Sequence, residues 1–312
     1  MNLKNLFIMT KNLKYKYVFL GDCNSINIEI ICKSLNVLSS NIRYILIGNI
    51  NDLGKYLKKI KSIVKINEII NPYDFNECKS NYLNIFNVEN ISKEKYKNLL
   101  NQIKLSNLIA NKTKKDLITM PINKSIFKKK INFIGMTEYL GKLNNKKTIM
   151  LMYGDKFSVV PYTTHINLRL IHSLIKKDKL KSFIELLFKY IEVKNYNLNF
   201  KYILCLCYNP HCGESETIGK EDSLITKTFK KYKRISGPFA ADSAFKNIKK
   251  NSLFIAMYHD QGLIPFKTLN NLGFNLTLGL NYRRISPDHG TAINKKYKNI
   301  SDNTSYLACM RI

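Results

Sequence analysis

The chain has 312 residues, of which 45% are hydrophobic, and this apolar content excludes a disordered chain and suffices for two moderate cores. Lys and Arg total 51 against 22 Asp and Glu, a net charge of +29. Because the lysines are spread along the whole chain and no nucleic-acid-binding motif accompanies them, compositional bias explains the charge better than a nucleic-acid partner. No apolar run approaches the roughly 18 residues that a membrane span needs.

The seven cysteines are irregularly spaced and include no C-x-x-C pair. Neither a disulfide framework nor a structural zinc site is therefore expected. Cys205 and Cys207 alternate within an apolar run and are predicted to be buried strand positions. Lysines interrupt the first twenty residues, which argues against a secretory signal and leaves a transit peptide open. We expect a cytoplasmic protein.

Short apolar runs alternate with segments of helical spacing along the chain. Strands are predicted at 17–20, 44–47, 117–120, 148–152, 158–161, 202–207, 253–257 and 276–280. Helices are predicted at 29–38, 53–64, 92–110 with Ser92 as N-cap, 166–175 and 183–193. This alternation predicts an α/β fold with a largely parallel sheet. No strand is followed by G-x-G-x-x-G, so a nucleotide would not be held by a Rossmann turn.

Three of the five histidines, His165, His211 and His259, follow predicted strands. Because ligands of parallel sheets bind beyond the carboxyl ends of the strands, these imidazoles can converge on one divalent ion. The alternative is three unrelated polar histidines. Asp242 and Asp260 lie in nearby polar turns, where a carboxylate can orient a metal ligand or accept a proton. A helix N-cap for Asp242 and a surface turn for Asp260 remain the alternatives.

A basic group of residues follows along the chain. Lys267, Arg283 and Arg284 lie in one segment with Asn275 between them, and such side chains suit phosphate or carboxylate groups. A solvated loop is the alternative reading. The run DHGTA at 288–292 comes next, and its backbone N–H groups and its carboxylate can contact a ligand.

Eight runs of the chain occur in a fixed order. They are TMPINKS (119–125), TEYLG (137–141), TTHINLR (163–169), NPHCGE (209–214), GPFAADSAF (237–245), AMYHDQG (256–262), NLTLGL (275–280) and ISPDHGTA (285–292). Together they resemble the PdxA family of 4-hydroxythreonine-4-phosphate dehydrogenases, over about residue 21 to the C-terminus. The resemblance implies a two-domain α/β/α fold of the isocitrate/isopropylmalate dehydrogenase type. We place one domain at about 1–130 plus 250–312, and the second, dimer-forming domain at about 131–249.

The resemblance also implies a reaction and its site. The reaction is NAD-dependent oxidation of 4-phosphohydroxy-L-threonine to 2-amino-3-oxo-4-phosphooxybutanoate, which decarboxylates to 3-amino-2-oxopropyl phosphate, in pyridoxal 5'-phosphate biosynthesis. The active site is implied to be shared within a homodimer and to hold one divalent ion, which is Zn, Mg, Co or Mn. The implied residues are the metal ligands His165, His211 and His259, the substrate contacts Met136, Thr137, Lys267, Asn275 and Arg284, the cofactor loop Asp288, His289, Gly290 and Thr291, and Asp242 or Asp260 for catalysis.

The chain departs from the family pattern at two places that affect function. Met136 stands where the family has a substrate-contacting histidine, and the run GDCNSINIE at 21–29 keeps Gly21, Asp22 and Glu29 but loses the family's other glycines and prolines. Two alternatives therefore stay open. One is a dehydrogenase for another phosphorylated hydroxy acid, and the other is an inactive binding dimer.

Overall fold

The computed structural model describes residues 13–312, and the part of the targeting prediction that concerns residues 1–12 lies outside this range. By their contacts the residues fall into two compact units. Unit 1 contains the described residues up to Lys130 together with His289–Ile312, and unit 2 is Ile131–Asp288. Residues 250–288, which the sequence assigned to the first domain, belong to unit 2. The reason is that strand Ser252–Ala256 pairs with two strands of that unit.

Unit 1 is a parallel sheet with flanking helices. Its strands are β1 (Lys14–Phe19), β2 (Ile42–Gly48), β3 (Lys65–Ile69), β4 (Tyr82–Asn87) and β5 (Asp116–Thr119), in the order β3-β4-β2-β1-β5. Its helices are α1 (Asn27–Ser34), α2 (Ile50–Lys59), α3 (Lys95–Thr113) and the C-terminal helix Thr304–Arg311. All of these strand pairs are parallel, as the sequence predicted.

Unit 2 has a mixed sheet. Its strands are β6 (Ile149–Gly154), β7 (Phe157–Pro161), β8 (Tyr202–Leu206), β9 (Ile235–Phe239), β10 (Ser252–Ala256), β11 (Gly273–Leu278) and β12 (Arg284–Pro287), in the order β12-β11-β6-β7-β10-β8-β9. Its helices are α4 (Met136–Leu143), α5 (Lys177–Ile191), α6 (Glu221–Phe229), α7 (Ala241–Ala244) and α8 (His259–Leu269). Strands β7, β10, β8 and β9 are parallel, whereas β6 and β11 pair antiparallel with their neighbours.

Aromatic packing sets the position of α8 on the sheet of unit 2. Phe157 of β7 lies 5.4 Å from Phe254 of β10 and 6.0 Å from Phe266 of α8 between ring centroids, both edge-on, an arrangement that aromatic pairs favour. Gly262 allows the close approach, because a Cβ there would lie 2.4 Å from Val159 Cγ1. The first residue of α8 is thereby held at the end of the sheet.

Two sequence predictions about helices were wrong in detail. Residues 166–175 form two short 3₁₀ turns, Leu168–Leu170 and His172–Leu174, instead of a helix. Leu168 and Leu170 are 67% and 56% exposed whereas Ile171 and Ile175 are buried, so the apolar residues of this segment do not form one buried helical face. Ser92 does not cap α3; its hydroxyl accepts a hydrogen bond from the Glu94 N–H before the helix begins.

The predicted burial of Cys205 and Cys207 is confirmed. All seven cysteines are free thiols, and Cys205 and Cys207 are buried on or directly after β8. Among residues 13–312, no helix combines the length and the apolar character needed to cross a membrane.

A buried ion pair joins β1 to β5. Lys16 is 0% exposed, lies opposite Asp116 in the parallel register, and places its Nζ 2.7 Å from Asp116 Oδ2. The flanking residues Tyr17, Val18 and Phe19 are also fully buried. The carboxylate therefore compensates a buried charge next to the apolar end of β1.

We predict that Asp116→Ala lowers the free energy of unfolding by about 3 kcal/mol, because it removes the carboxylate that pairs with a buried ammonium group. The matched control is Glu192→Ala, whose pair with Arg234 is equally short at 2.6 Å but has side chains 61% and 51% exposed. It should lose less than about 1 kcal/mol. Urea denaturation measures both variants, and equal losses would contradict the prediction.

Candidate active site

The three predicted metal ligands all lie at strand ends of unit 2. His165 follows β7, His211 follows β8, and His259 is the first residue of α8, directly after β10. The three strands are neighbours in the order β7-β10-β8 and run parallel. Their carboxyl ends therefore share one edge of the sheet, which is where α/β proteins bind ligands.

Side-chain hydrogen bonds tie these strand ends together. The Gln261 amide donates to the Cys207 carbonyl and accepts from the Met257 N–H, both at 2.7 Å. The Thr163 hydroxyl donates to the Met257 carbonyl, also at 2.7 Å. We call these three contacts the Gln261 bridge. They join the backbone after β7, β10 and β8 shortly before each histidine.

His165 and His259 are brought together. Their ring centroids are 5.5 Å apart. Each Nδ1 faces a carboxylate, at 3.3 Å for Glu138 Oε1 with His165 and at 2.6 Å for Asp260 Oδ1 with His259. A carboxylate at one ring nitrogen orients a histidine for metal binding through the other. Two imidazoles on one tetrahedral ion have centroids about 5 Å apart, so this pair fits a divalent ion.

His211 does not join the other two histidines to form a triad. Within residues 13–312, no group of three His, Cys, Asp or Glu side chains is arranged to hold a metal ion. His211 begins a run of six residues with positive φ that extends to Glu216. For residues other than glycine this left-handed backbone is unfavourable by about 1 kcal/mol each and needs support from the surroundings.

The His211 loop has that support. Asp222, 2% exposed in the first turn of α6, accepts hydrogen bonds from the backbone N–H groups of Tyr208 and Asn209 at 2.6 and 2.9 Å. The Asn209 side-chain amide donates to Glu221 at 2.8 Å. The loop is thus fixed to α6 on the side that precedes the histidine.

Glu138 lies in the TEYLG run but was not identified from the sequence as a site residue. Burial raises the pKa of its carboxyl, but hydrogen bonds from His165 and Thr164 and the charge of His165 outweigh that effect and lower the pKa to about 2. Its Oε2 is buried and has no hydrogen-bond partner within the described residues. An ionised carboxylate of this kind beside His165 favours a cationic ligand.

The two candidate catalytic aspartates have different surroundings. Asp260 is 71% exposed and contacts His259. Asp242 lies in the first turn of α7, whose N-cap is Ala240, so the N-cap alternative was wrong. Burial, followed by Cys207 and nearby acidic groups including Asp242, raises the pKa of Cys212 to about 12. The charge of Asp242 thus acts on Cys212, the residue that follows His211.

The predicted substrate residues Arg284 and Thr137 both contact Thr277, which was not identified from the sequence. Arg284 is 4% exposed, and its Nη1 donates to Thr277 Oγ1 at 3.2 Å and lies 3.5 Å from Thr137 Oγ1. The two threonine hydroxyls are 3.1 Å apart. Thr277 thus fixes the guanidinium beside Thr137.

The other predicted substrate residues have different surroundings. Lys267 Nζ donates to the Asp288 carbonyl at 3.0 Å. Asn275 has a buried Oδ1 without a hydrogen-bond partner in the described part of the chain, and such an atom suits a ligand donor. Met136 begins α4 after Gly135, where a Cβ would lie 3.1 Å from His165 Nδ1. The backbone just before Met136 therefore lies beside the candidate metal ligand His165.

The predicted cofactor loop spans the boundary of the units. Asp288 ends unit 2, and His289 begins the second segment of unit 1. A Cβ on Gly290 would meet no atom within 4 Å, so its backbone is open to a ligand. The Thr291 carbonyl accepts a hydrogen bond from the Ile26 N–H at 3.2 Å, which fixes this loop to the start of α1.

Comparisons with known proteins agree with this architecture. Residues 38–312 match the model of a family described as pyridoxal phosphate biosynthetic protein PdxA. A 4-hydroxythreonine-4-phosphate dehydrogenase of Sulfurihydrogenibium sp. is 33% identical over 320 residues, covering 95% of this chain and 96% of the relative. One from Hydrogenobaculum sp. is 43% identical over 188 residues, covering 59% and 60% respectively.

A solved structure confirms the α/β fold. The crystal structure of 4-hydroxythreonine-4-phosphate dehydrogenase from Klebsiella pneumoniae aligns with a TM-score of 0.76 at 24% identity, over 96% of this chain and 98% of that chain. The family match extends over most of the chain, and the Sulfurihydrogenibium relative aligns over nearly its whole length. This chain therefore belongs to the PdxA family of pyridoxal phosphate biosynthetic proteins.

Proposed function

We propose that the protein is a cytoplasmic, divalent-metal- and NAD-dependent dehydrogenase acting on 4-phosphohydroxy-L-threonine. Its product would be 2-amino-3-oxo-4-phosphooxybutanoate, which decarboxylates to 3-amino-2-oxopropyl phosphate for pyridoxal 5'-phosphate synthesis. The observation that carries the proposal is the His165–His259 pair, 5.5 Å apart with a carboxylate at each Nδ1, in a chain of the PdxA family. Relatives that carry this dehydrogenase name support the reaction class.

The proposed site is completed in a homodimer. His211 is firmly held but belongs to no metal-binding group within residues 13–312, so a third ligand from a second copy would complete the set in a symmetric assembly. Leu168 and Leu170 lie just after His165 and are 67% and 56% exposed. Apolar side chains exposed next to a site suit a subunit interface.

The chain's own residues position the substrate in this proposal. Arg284 and Lys267 bind its negative groups, and the Thr277 contact keeps the guanidinium in place. The unpartnered Asn275 Oδ1 accepts a hydrogen bond from the substrate. When bound, the divalent ion supplies Lewis acidity to the substrate hydroxyl, and NAD supplies the hydride acceptor.

Proton transfer is assigned to a carboxylate at the strand ends. Asp260 already contacts His259 and serves to orient that ring. Asp242 makes no hydrogen bond to a histidine within the described residues and is the better proton acceptor. The loop Asp288–His289–Gly290–Thr291 is proposed to hold the adenosine part of the cofactor, because its Gly290 backbone is open.

The first test is NADH formation, followed by absorbance, from NAD and 4-phosphohydroxy-L-threonine with Zn, Mg, Co or Mn. We expect turnover that a chelator abolishes. His165→Ala, His211→Ala and His259→Ala should each reduce turnover by more than about 100-fold, because each removes a ligand from the ion. His172→Ala is the matched control, since this exposed histidine pairs with Glu221. Wild-type rates in any of the three ligand variants would refute the assignment.

Gln261→Met should weaken metal binding roughly tenfold while the protein still folds, because the ligands lose the contacts that align their strand ends. The Cys207 carbonyl and the Met257 N–H also lose their partners, so the free energy of unfolding should fall by about 2 kcal/mol. Competition with a metal-binding dye measures the affinity. The control is Thr268→Ala in the same helix, whose hydroxyl bonds only to the Ile264 carbonyl. Unchanged affinity in folded Gln261→Met would show that the bridge does not position the ligands.

Met136→His should raise kcat/KM for 4-phosphohydroxy-L-threonine about tenfold, because it restores the histidine of the family pattern, a hydrogen-bond donor worth about 1.5 kcal/mol to a charged substrate. Steady-state kinetics on a panel of phosphorylated hydroxy acids measures this. Met136→Leu is the control. If the histidine variant gains nothing on this substrate while the parent turns over another hydroxy acid, the alternative dehydrogenase is the better assignment.

A further inference from the structure

A cavity of about 390 Å³ lies in unit 1, and no histidine is among its lining residues. It opens at the carboxyl ends of β1, β2 and β4, and its walls come from the loop after β1, from α2 and from the first turns of α3. None of the predicted metal, substrate or cofactor residues lines it. Its volume is in the range of small-molecule sites, and this edge of a parallel sheet is where ligands bind.

The rim of the cavity is positively charged. Lys55, Lys59, Lys93 and Lys95 line it, and Asp52 is its one acidic lining residue. Lys95 pairs with Asp22 at 2.7 Å, and Lys59 lies over the Tyr297 ring at 5.2 Å. Within the described residues, Lys55 and Lys93 make no hydrogen bond or ion pair. Three of the four lining lysines thus form no ion pair within the described residues, and this excess of positive charge favours an anionic ligand.

Because lysine is abundant in this chain, the polar residues on the floor of the cavity are stronger evidence for a ligand than the lysines on its rim. Gln102 is 5% exposed and lines the cavity, yet its amide makes no hydrogen bond within residues 13–312. Tyr56 is 2% exposed, and its hydroxyl has no acceptor there. Buried polar groups are normally partnered. The amide N–H and the hydroxyl are donors suited to the oxygen atoms of an anion.

The start of α3 adds backbone donors. This helix has 19 residues and begins at Lys95, and its N-cap Glu94 makes no side-chain capping bond. Its first turn contains no acidic residue. Uncapped N–H groups at a helix N-terminus bind phosphate well, because the helix dipole favours negative charge there.

We propose that this cavity binds a small phosphate-bearing ligand. Lys55, Lys59 and Lys93 contact the phosphate together with the start of α3, and Gln102 and Tyr56 contact the ligand from the floor. The phosphate belongs either to a free phosphate monoester or to a dinucleotide, since both present the same group. The proposal does not depend on the histidines, so it can fail or succeed independently of the dehydrogenase assignment.

The first test is calorimetric titration of the full chain with inorganic phosphate and, separately, with NAD. The double variant Lys55→Gln/Lys59→Gln should bind phosphate about tenfold more weakly, because two cations are removed from the rim. The matched control is Lys58→Gln/Lys65→Gln, which removes the same charge from exposed positions outside the cavity. Equal weakening in both variants would overturn the proposal, because the binding would then reflect net charge.

The NAD arm identifies the source of the phosphate. If the cavity variant also binds NAD about tenfold more weakly, the cavity holds a phosphate of the dinucleotide. If NAD binding is unchanged while phosphate binding is weakened, the ligand is a free phosphate ester. Both results support a phosphate site, whereas undetectable phosphate and NAD binding by the folded parent chain would refute it.

A second variant tests the floor without changing the charge. Gln102→Leu should weaken phosphate binding about tenfold, and the thermal midpoint of the ligand-free protein should not fall, because the Gln102 amide makes no hydrogen bond within residues 13–312 that the substitution would break. A lower midpoint together with unchanged phosphate binding would overturn the proposal, since it would make the amide a purely structural group.

Discussion

The Gln261 bridge is the constraint on which the candidate site depends. At the carboxyl ends of β8 and β10, the Cys207 carbonyl and the Met257 N–H both obtain a partner from one side-chain amide, where buried backbone groups cannot be left unsatisfied. The Thr163 hydroxyl donates to the Met257 carbonyl and thereby connects the end of β7 to the end of β10. His165 and His259 each lie two residues after a member of the bridge, so their positions follow from these hydrogen bonds.

The sequence predicts those features of the site that depend on strand position. A histidine directly after a buried strand must lie at the edge of a parallel sheet, and this places His165, His211 and His259 without knowledge of the contacts. Glu138 and Gln261 could not be found in this way, because their partners lie 27 and 54 residues away in the chain. The wrong helix at 166–175 has another cause, since apolar spacing does not reveal that Ile171 is buried while Leu168 and Leu170 are exposed.

The divergent segment after β1 retains the residues that unit 1 needs. Gly21 has a φ of +71°, and a Cβ there would lie 2.5 Å from the Pro121 carbonyl, which only glycine avoids. Asp22 accepts hydrogen bonds from Lys95 and from the Asn24 N–H. The Glu29 carboxylate accepts one from the Ser301 N–H. The three retained residues thus have structural reasons to persist while the rest of the turn has changed.

The His211 loop is firmly fixed, yet His211 belongs to no metal-binding group within residues 13–312. This combination bears on the proposed sharing of the site between two copies. Two carboxylates hold the rings of His165 and His259 within one sheet edge, whereas the loop of His211 takes an unfavourable left-handed path and is fixed to α6 by Asp222. A side chain with no role would not require such support, because an exposed loop can relax to ordinary backbone angles. The unfavourable backbone conformation would be explained if the loop directs His211 away from its own chain. In a dimer with two-fold symmetry, each copy would then place its His211 at the proposed metal site of the other copy.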